Sequence, residues 1–365
     1  MNLFESISFY ASSILIIWIS YFISIILYKN LIFHSIGRPF FHFIVIFPVA
    51  FVASIRDINT GTDTYNVVMS YHRVSNMSFG DVIAYDNTGF TFNILRKIIG
   101  AITNQNEVVY LFIITYLVIF FVLKAIEIWN LKDGTLALWI FYTCFGPILF
   151  DQIRQLIAVS IVLYAYWYAV KKCTRKYFLW ILFAGTFHLS ALFVGTIVYL
   201  IQFKENSALK EKVYIIAIVV ATVSLKYILS FVSAFFSSNK YGIYFEDTKN
   251  TMSIGFGLLL TLIPSLIPAF ILRNKMDEKH NFFNMNLMIL PSRVAGYISF
   301  FISRIVYYFS IVNVIAFPLA IEKCSDEHEK RNMKIIVYVC CTTYFVLYYW
   351  WLMADVYFPY HTTFK

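Results

Sequence analysis

Long stretches without any charged residue follow one another along this chain. Their flanking charges are Glu5 and Lys29, Arg38 and Arg56, Glu107 and Lys124, Asp133 and Asp151, Arg154 and Lys171, Lys176 and Lys204, Lys249 and Arg273, Arg304 and Glu322, and Lys334 and Asp355. Most are close to the roughly 17 to 25 residues that a helix needs to cross a bilayer. With 60% hydrophobic and 13% charged residues, the chain is too apolar for a soluble domain. The pattern predicts one all-α polytopic membrane domain over residues 1–365, with about 10 to 12 transmembrane helices including short hairpin helices.

The distribution of lysine and arginine predicts the orientation of these helices. If the N-terminus lies outside and residues 177–202 and 283–321 form hairpins, most basic residues fall on the inner side, as the positive-inside rule requires. The net charge of +9 then reflects topology and not binding to nucleic acid. Residues 177–202 are too few for two full spans at about 1.5 Å per residue, so we expect them to enter the membrane partway and return. A single crossing there would invert everything that follows and remove the asymmetry.

Two segments on the outer side are long enough to contribute to a site. Residues 56–107 contain turn residues and an amphipathic stretch, 92–102, that places Arg96 and Lys97 on its polar side. A helix along the membrane surface fits that stretch. Residues 233–253 mix aromatic and polar side chains, which suits sugar stacking and equally suits a loop at the membrane interface.

Four arginines stand at or between the apolar stretches: Arg56, Arg154, Arg293 and Arg304. Ionisable groups in such positions are costly and are therefore functional candidates. Helix length places Arg293 near the middle of the membrane and the other three at the outer face. A guanidinium group is planar, permanently charged and bidentate toward phosphate, so the set predicts binding of a diphosphate headgroup.

A structural interpretation of the same arginines stays open. A carboxylate close in sequence, such as Asp151 beside Arg154, forms an ion pair that simply closes a helix end. Arg293 and Arg304 have no such neighbour in the sequence, although another helix can supply one.

Several short motifs, in order along the chain, are similar to those of a known family. They are Arg56 with Gly61-Thr62-Asp63-Thr64-Tyr65, Gly89-Phe90, Arg154-Gln155 with Ala158, Phe187-His188-Leu189-Ser190-Ala191, Arg304 with Tyr307 and Tyr308, and Pro359-Tyr360-His361. This ordered set resembles the EpsG and Wzy type of bacterial polysaccharide polymerases and covers most of the chain. The chain departs from the family pattern at Asn87, where many relatives have a glutamate.

The resemblance implies an integral-membrane, C-type glycosyltransferase that acts at the outer face of the bacterial cytoplasmic (inner) membrane. It would join undecaprenyl-diphosphate-linked repeat units of O-antigen, capsule or exopolysaccharide, with a chain-length regulator and a flippase as partners. A sugar hydroxyl of one lipid-linked unit would attack the anomeric carbon of the other glycan and displace its diphosphate. Arginines in a site shielded from water would stabilise the charge on that leaving group.

Roles for individual residues follow from this chemistry. Arg154 and Arg304 are the leading diphosphate ligands, with Arg56 and Arg293 as further candidates. The resemblance also implies substrate contacts from three other residues: Gln155, Tyr65 and Tyr308.

Two residues are candidates for the general base. His188 has an ordinary pKa in the right range and lies near the tip of the short hairpin, although a histidine that only bonds between helices fits equally. Asp63 is the alternative, unless its side chain merely makes an Asx-type turn after Gly61. The sequence shows no metal-ligand cluster, so we expect neither a metal nor a cofactor.

Other functions are compatible with the same residues. A flippase or exporter of lipid-linked oligosaccharide also needs a cationic lumen. A membrane glycan ligase, or an acyltransferase that decorates the glycan, remains a further alternative.

Overall fold

The computed structural model describes most of the chain as helices. The described residues are 3–31, 37–85, 89–202, 256–295 and 304–353. They are 83% helical and contain no β-strand, which confirms the predicted all-α class for this part of the chain. The predicted aromatic loop 233–253 lies outside the described residues.

The helices of the described residues are numbered in chain order. They are α1 (Leu3–Asn30), α2 (Arg38–Ser54), α3 (Thr64–Ser75), α4 (Phe79–Ala84), α5 (Phe90–Thr103), α6 (Glu107–Ile128), α7 (Gly134–Phe145), α8 (Ile153–Val170), α9 (Thr174–Phe187), α10 (Ser190–Gln202), α11 (Phe256–Ile271), α12 (Phe282–Leu287), α13 (Ile289–Ala295), α14 (Val306–Ser310), α15 (Asn313–Glu322) and α16 (Glu327–Tyr344). Three short 3₁₀ turns, Pro147–Phe150, Arg273–Lys275 and Glu278–His280, connect some of them, and a π-helical extension, Phe345–Leu352, continues α16.

Three helices of the described part are long and apolar enough to cross a membrane. They are α6, α8, and α16 together with its extension, and six shorter apolar helices accompany them. The chain is therefore a membrane protein, while the total number of spans stays a prediction.

Capping residues determine where α6 begins. The side chain of Asn106 accepts a hydrogen bond from the backbone N–H of Val109 at 3.0 Å, and Glu107 places a negative charge in the first turn of α6. Both features stabilise a helix N-terminus, because the first N–H groups have no partner inside the helix. The start of α16 repeats the arrangement, with Asp326 accepting from the N–H of Glu329.

Two groups of helices pack into one bundle. In the first, α6 lies between α2 and α8, with α1 packed on α2 and α9 on α8. In the second, α7 contacts α15 and α16, and α16 also packs on α11. Helix α8 runs through the interior of the bundle, and most of its apolar side chains are buried. The N-terminus of α8 is therefore held rigidly, and this end carries Arg154.

The predicted hairpin at 177–202 is confirmed as two short helices. Helix α9 ends at Phe187, the chain turns at His188 and Leu189, and α10 begins at Ser190. The two helices run side by side: the Tyr177 hydroxyl donates to the backbone carbonyl of Gly195 at 2.6 Å. The turn that carries His188 is thus fixed at the tip of a packed helical pair.

The loop between α2 and α3 approaches the linker before α8 very closely. Gly61 adopts a φ of +78°, in the left-handed region. A Cβ atom at this position would overlap the carbonyl oxygen of Phe150. Glycine is therefore required at position 61 for two reasons. It tolerates the left-handed backbone conformation, and it leaves room for the contact between residues 61–64 and the linker.

We predict that Gly61→Ala destabilises the protein more than Gly37→Ala. Both glycines have a positive φ, which costs an alanine about 1 to 2 kcal/mol. Only Gly61 adds a steric clash, because no atom of the described residues lies within 4 Å of the Cβ position of Gly37. Thermal unfolding of the purified variants in detergent would measure both effects, and equal losses of stability would contradict the close approach.

Candidate functional site

A cavity of about 160 Å³ brings together residues from distant parts of the sequence. Five residues that the sequence singles out line it: Asp63, Arg154, Gln155, His188 and Arg304. They come from the start of α3, the first turn of α8, the hairpin tip and the residue two positions before α14. The helix packing described above therefore creates one site from separate motifs.

The first turn of α8 contributes positive potential to this cavity. Residues 152–155 line it, and Gln152, at the N-cap, makes no side-chain capping bond. A helix N-terminus carries partial positive charge and backbone N–H groups without partners inside the helix. Together with the Arg154 guanidinium, it forms a site that attracts an anion.

Arg304 is tied to the same turn through its backbone. The side-chain amide of Gln155 donates to the carbonyl oxygen of Arg304 at 3.0 Å. This bond holds the chain before α14 against α8, so both guanidinium groups lie on one cavity.

A third guanidinium group in the cavity belongs to Arg96. The sequence places Arg96 on the polar side of its helix, and that prediction is wrong, because the residue is only 2% exposed. Its Nε donates to the Tyr110 hydroxyl at 3.2 Å and its Nη1 to Asn93 Oδ1 at 3.3 Å, while the guanidinium lies 4.4 Å from the centre of the Phe92 ring. Phe92, Arg96 and Ile99 are spaced so that they share one helical face, and this spacing was the signal in the sequence that Arg96 is buried.

Asp151 organises the acidic side of the cavity. Its Oδ1 accepts from the backbone N–H of Asp63 at 3.1 Å and from the Thr62 hydroxyl, and its Oδ2 accepts from Gln152 at 3.1 Å. Sequence reasoning treated Asp151 only as an ion-pair partner for Arg154. Its contacts with Thr62 and Asp63 cross 89 and 88 positions of the chain, which no local pattern reveals.

Asp63 stands at the N-cap position of α3, but its side chain makes no capping bond. The predicted alternative of a simple Asx-type turn is therefore not what the structure shows. Burial raises the pKa of the Asp63 carboxyl, and Asp151 raises it further, while Arg304 and Arg154 lower it. Net, the carboxyl holds its proton more tightly than an ordinary aspartate.

His188 is held by a chain of hydroxyl groups. Its Nδ1 lies 2.6 Å from Ser190 Oγ, which in turn lies 2.8 Å from the hydroxyl of the fully buried Tyr308. Tyr308, predicted as a substrate contact, therefore reaches the cavity only through Ser190.

Three other predicted residues lie away from the lining of this cavity. The side chain of Tyr65 is 52% exposed. Arg56 is 1% exposed, and it donates to the Ala53 carbonyl at 2.5 Å and to Thr64 Oγ1 at 3.1 Å, which fastens the end of α2 to the start of α3. Arg293 borders a second, smaller cavity.

Two buried amide oxygens in the lining have no hydrogen-bond partner among the described residues. They are the Oε1 atoms of Gln152 and Gln155, whose residues are 7% and 4% exposed. A buried acceptor without a donor is unfavourable, so a ligand with hydroxyl groups gains affinity by supplying donors here.

Metal ligands do not cluster in the described part of the chain. No group of three or more histidine, cysteine, aspartate or glutamate side chains there has the geometry to hold a metal ion. Whether the reaction needs a metal stays a prediction.

The fold and the site define a helical membrane protein with a cavity that carries three guanidinium groups, two carboxylates and free hydrogen-bond acceptors. A sequence model of the EpsG family matches residues 39–362, so the chain belongs to the EpsG family. No curated protein and no solved structure matches it. Family membership supports a polysaccharide polymerase that acts on lipid-linked oligosaccharides.

We predict that Asp63→Asn stabilises the protein at pH 7. A carboxyl whose pKa is raised in the folded state stabilises the fold while it is protonated, and this stabilisation is lost as the pH rises through the folded-state pKa. At pH 7 the charged Asp63 therefore destabilises the fold. An asparagine carries no charge, so the unfolding midpoint of the variant exceeds that of the wild type at pH 7. The difference disappears below the ordinary aspartate pKa of about 3.9.

The control for this prediction is Asp81→Asn, which changes an exposed carboxylate in the first turn of α4 and leaves an amide oxygen to accept from the Ser78 hydroxyl, which lies 2.7 Å from Asp81 Oδ2. Its midpoint should stay close to the wild-type value. An Asp63→Asn protein that unfolds at a lower temperature than the wild type at pH 7 would contradict the raised pKa.

Proposed function

We propose that the chain transfers a polyprenyl-diphosphate-linked glycan onto the non-reducing-end sugar of a lipid-linked repeat unit, at the outer face of the cytoplasmic membrane. The observation that carries this proposal is the cavity in which Arg154, Arg304 and the N-terminus of α8 face the same space as Asp63 and His188. Positive groups for a leaving diphosphate and a carboxyl for a hydroxyl proton thus occupy one site.

Arg154 and Arg304 bind the diphosphate of the donor in this mechanism. The acceptor hydroxyl oxygen forms a bond to the anomeric carbon, and the bond from that carbon to the diphosphate oxygen breaks with its electron pair. Negative charge therefore grows on the diphosphate. Fixed guanidinium groups and helix N–H groups stabilise it without reorganising, which is the largest single effect in many enzymes.

Arg96 supports this charge from the side of α5. Its contacts with Tyr110, Asn93 and Phe92 hold the guanidinium in one orientation. Three guanidinium groups in the lining outnumber the carboxylates Asp63 and Asp151, so the cavity favours an anion. We assign Arg56 a structural role instead, because its described donors serve the backbone of α2 and the side chain of Thr64.

Asp63 takes the proton of the attacking hydroxyl. Its pKa is raised toward the range in which a carboxylate is an effective base, and its side chain is free of capping duty. His188 already engages Ser190 through its Nδ1, and Ser190 engages the buried Tyr308 hydroxyl. We assign the imidazole to orienting the acceptor hydroxyl by hydrogen bonding, with Ser190 and Tyr308 fixing the ring.

The sugars contact the amide groups of α8. The unsatisfied oxygens of Gln152 and Gln155 accept hydrogen bonds from sugar hydroxyls next to the reacting bond. The Gln152 amide N–H donates to Asp151 Oδ2, and the Gln155 amide N–H donates to the Arg304 carbonyl. These bonds orient the two amide oxygens before substrate binds. Such preorganisation reduces the entropy lost on binding.

We predict that Arg154→Ala or Arg304→Ala in a deletion strain leaves only single repeat units. Loss of one preorganised donor to a charged transition state costs roughly 100- to 1,000-fold in rate, enough to collapse a polysaccharide ladder. The measurement is a gel of total repeat-unit glycan, with immunoblots for protein level.

The matched control is Arg73→Ala on α3, where the arginine is exposed and lies outside the cavity lining. It should restore the full ladder. Long chains in the Arg154→Ala strain would remove the polymerase proposal, and repeat units that never reach the cell surface would favour a flippase.

We predict different outcomes for Asp63→Asn and His188→Gln when the purified proteins elongate a lipid-linked repeat unit in vitro and the products are separated on the same kind of gel. Loss of a general base costs roughly 100- to 10,000-fold, so Asp63→Asn should stop polymerisation while binding of lipid-linked substrate persists. His188→Gln keeps a hydrogen-bonding group and should retain more activity. If His188→Gln is the more damaging change, the base is His188 and the assignment to Asp63 is wrong.

A further inference from the structure

A second cavity lies on the other side of the short helix α14. It measures about 20 Å³ and is bordered by α7, α11, α13, α14, α15 and α16. Arg293, only 8% exposed, lines it together with Tyr307, Ser265 and Asn313. This cavity is separate from the one that contains Arg154, Arg304 and His188.

The charge of Arg293 is not compensated by the described residues around it. Its Nε has no hydrogen-bond partner there, and no carboxylate among these residues borders the cavity. The Tyr307 ring lies 5.9 Å from the guanidinium carbon, and Tyr344 borders the same cavity, but both side chains are neutral phenols. A buried cation without a counter-charge is strongly unfavourable, so buried charges are normally paired.

The remaining polar groups favour an anion over a cation in this space. Tyr307 lines the cavity and offers a hydroxyl proton, and Asn313 lines it with an amide that is held in place by Asn286, at 2.7 and 2.9 Å. Thr261 and Ser310 instead donate to carbonyl groups of their own helices. The available charge is therefore one guanidinium group, assisted by neutral donors.

The size of the cavity selects the class of anion. A water molecule needs roughly 10 to 15 Å³ of such space, so a cavity of about 20 Å³ holds one particle of that size or slightly larger. A diphosphate is far too large. A single water molecule fits but leaves the positive charge uncompensated.

We infer that Arg293 holds one small inorganic anion, with chloride as the fitting species, as a structural counter-ion inside the bundle. This inference does not depend on the proposed polymerase activity. It does explain how α14 is fixed between two sites. Tyr307 faces the anion cavity, whereas the next residue, Tyr308, bonds to Ser190 and so supports His188.

The test is thermal unfolding of the purified full-length protein in detergent, in sodium chloride and in sodium gluconate at equal ionic strength. Chloride should raise the unfolding midpoint saturably, as a ligand that binds only the folded state does. Bromide should replace chloride and give one anomalous scattering peak beside Arg293 in crystals. A wild-type protein with the same midpoint in chloride and gluconate overturns the inference.

Arg293→Met makes the test specific to the site. The chloride response should vanish, while the midpoint in gluconate stays the same or rises, because an apolar side chain of similar length needs no counter-charge. Arg273→Met is the matched control, since Arg273 is exposed over the Phe283 ring, and it should keep the full response. A chloride response that persists in Arg293→Met overturns the inference.

A second variant covers the case in which Arg293→Met fails to fold. Tyr307→Phe removes one donor and leaves the charge, so its chloride titration should shift to higher concentration than that of the wild type. An unchanged chloride titration in Tyr307→Phe overturns the inference, because the anion then does not lie in this cavity.

Discussion

The structure depends on holding positive charge inside an apolar helical bundle. Arg154 stands in the first turn of α8, which is the most buried of the three helices long enough to cross a membrane, and there it adds its charge to the positive end of the helix dipole. Such a concentration of positive potential is unfavourable in a membrane protein unless polar groups, carboxylates or a ligand balance it. Asp151 and Asp63 supply part of that balance, and the remaining positive charge is the basis on which we propose that the cavity binds an anionic substrate.

The same contacts that balance charge also position the chemistry. Asp151 holds the loop at Thr62 and Asp63, and Gly61 allows this loop to meet the Phe150 carbonyl. The Asp63 carboxyl is thereby released from capping α3 and is left at the cavity. Two tyrosines adjacent in sequence then link the cavity to its neighbour, because Tyr308 supports His188 through Ser190 while Tyr307 borders the small cavity of Arg293.

Sequence reasoning predicted the parts of this arrangement that local patterns determine. The apolar stretches predicted the all-α class, the short length of 177–202 predicted the hairpin, and the ordered motifs predicted the family. Residues 63, 154, 155, 188 and 304 were singled out by residue type and motif, and they meet at one cavity. Their roles remain proposals.

Long-range contacts account for what the sequence did not predict. The amphipathic pattern of residues 92–102 predicted that Arg96 lies on the polar side of its helix, yet packing of α5 against α3 buries it. Asp151 and Gln152 contribute to the site because the fold brings Asp63 and Arg304 to the same cavity, and the sequence does not predict this proximity. Arg293 and Arg56 share their residue type with Arg154 but not their location, because residue type does not determine which cavity a side chain enters.

The most direct measurement is polymerisation by the purified chain in liposomes, with a single defined polyprenyl-diphosphate-linked repeat unit as the only substrate. The account predicts lipid-linked products of two and more repeat units, together with one free polyprenyl diphosphate for each new glycosidic bond. Binding of the substrate without any elongation, or its movement across the bilayer as the only change, would contradict the account.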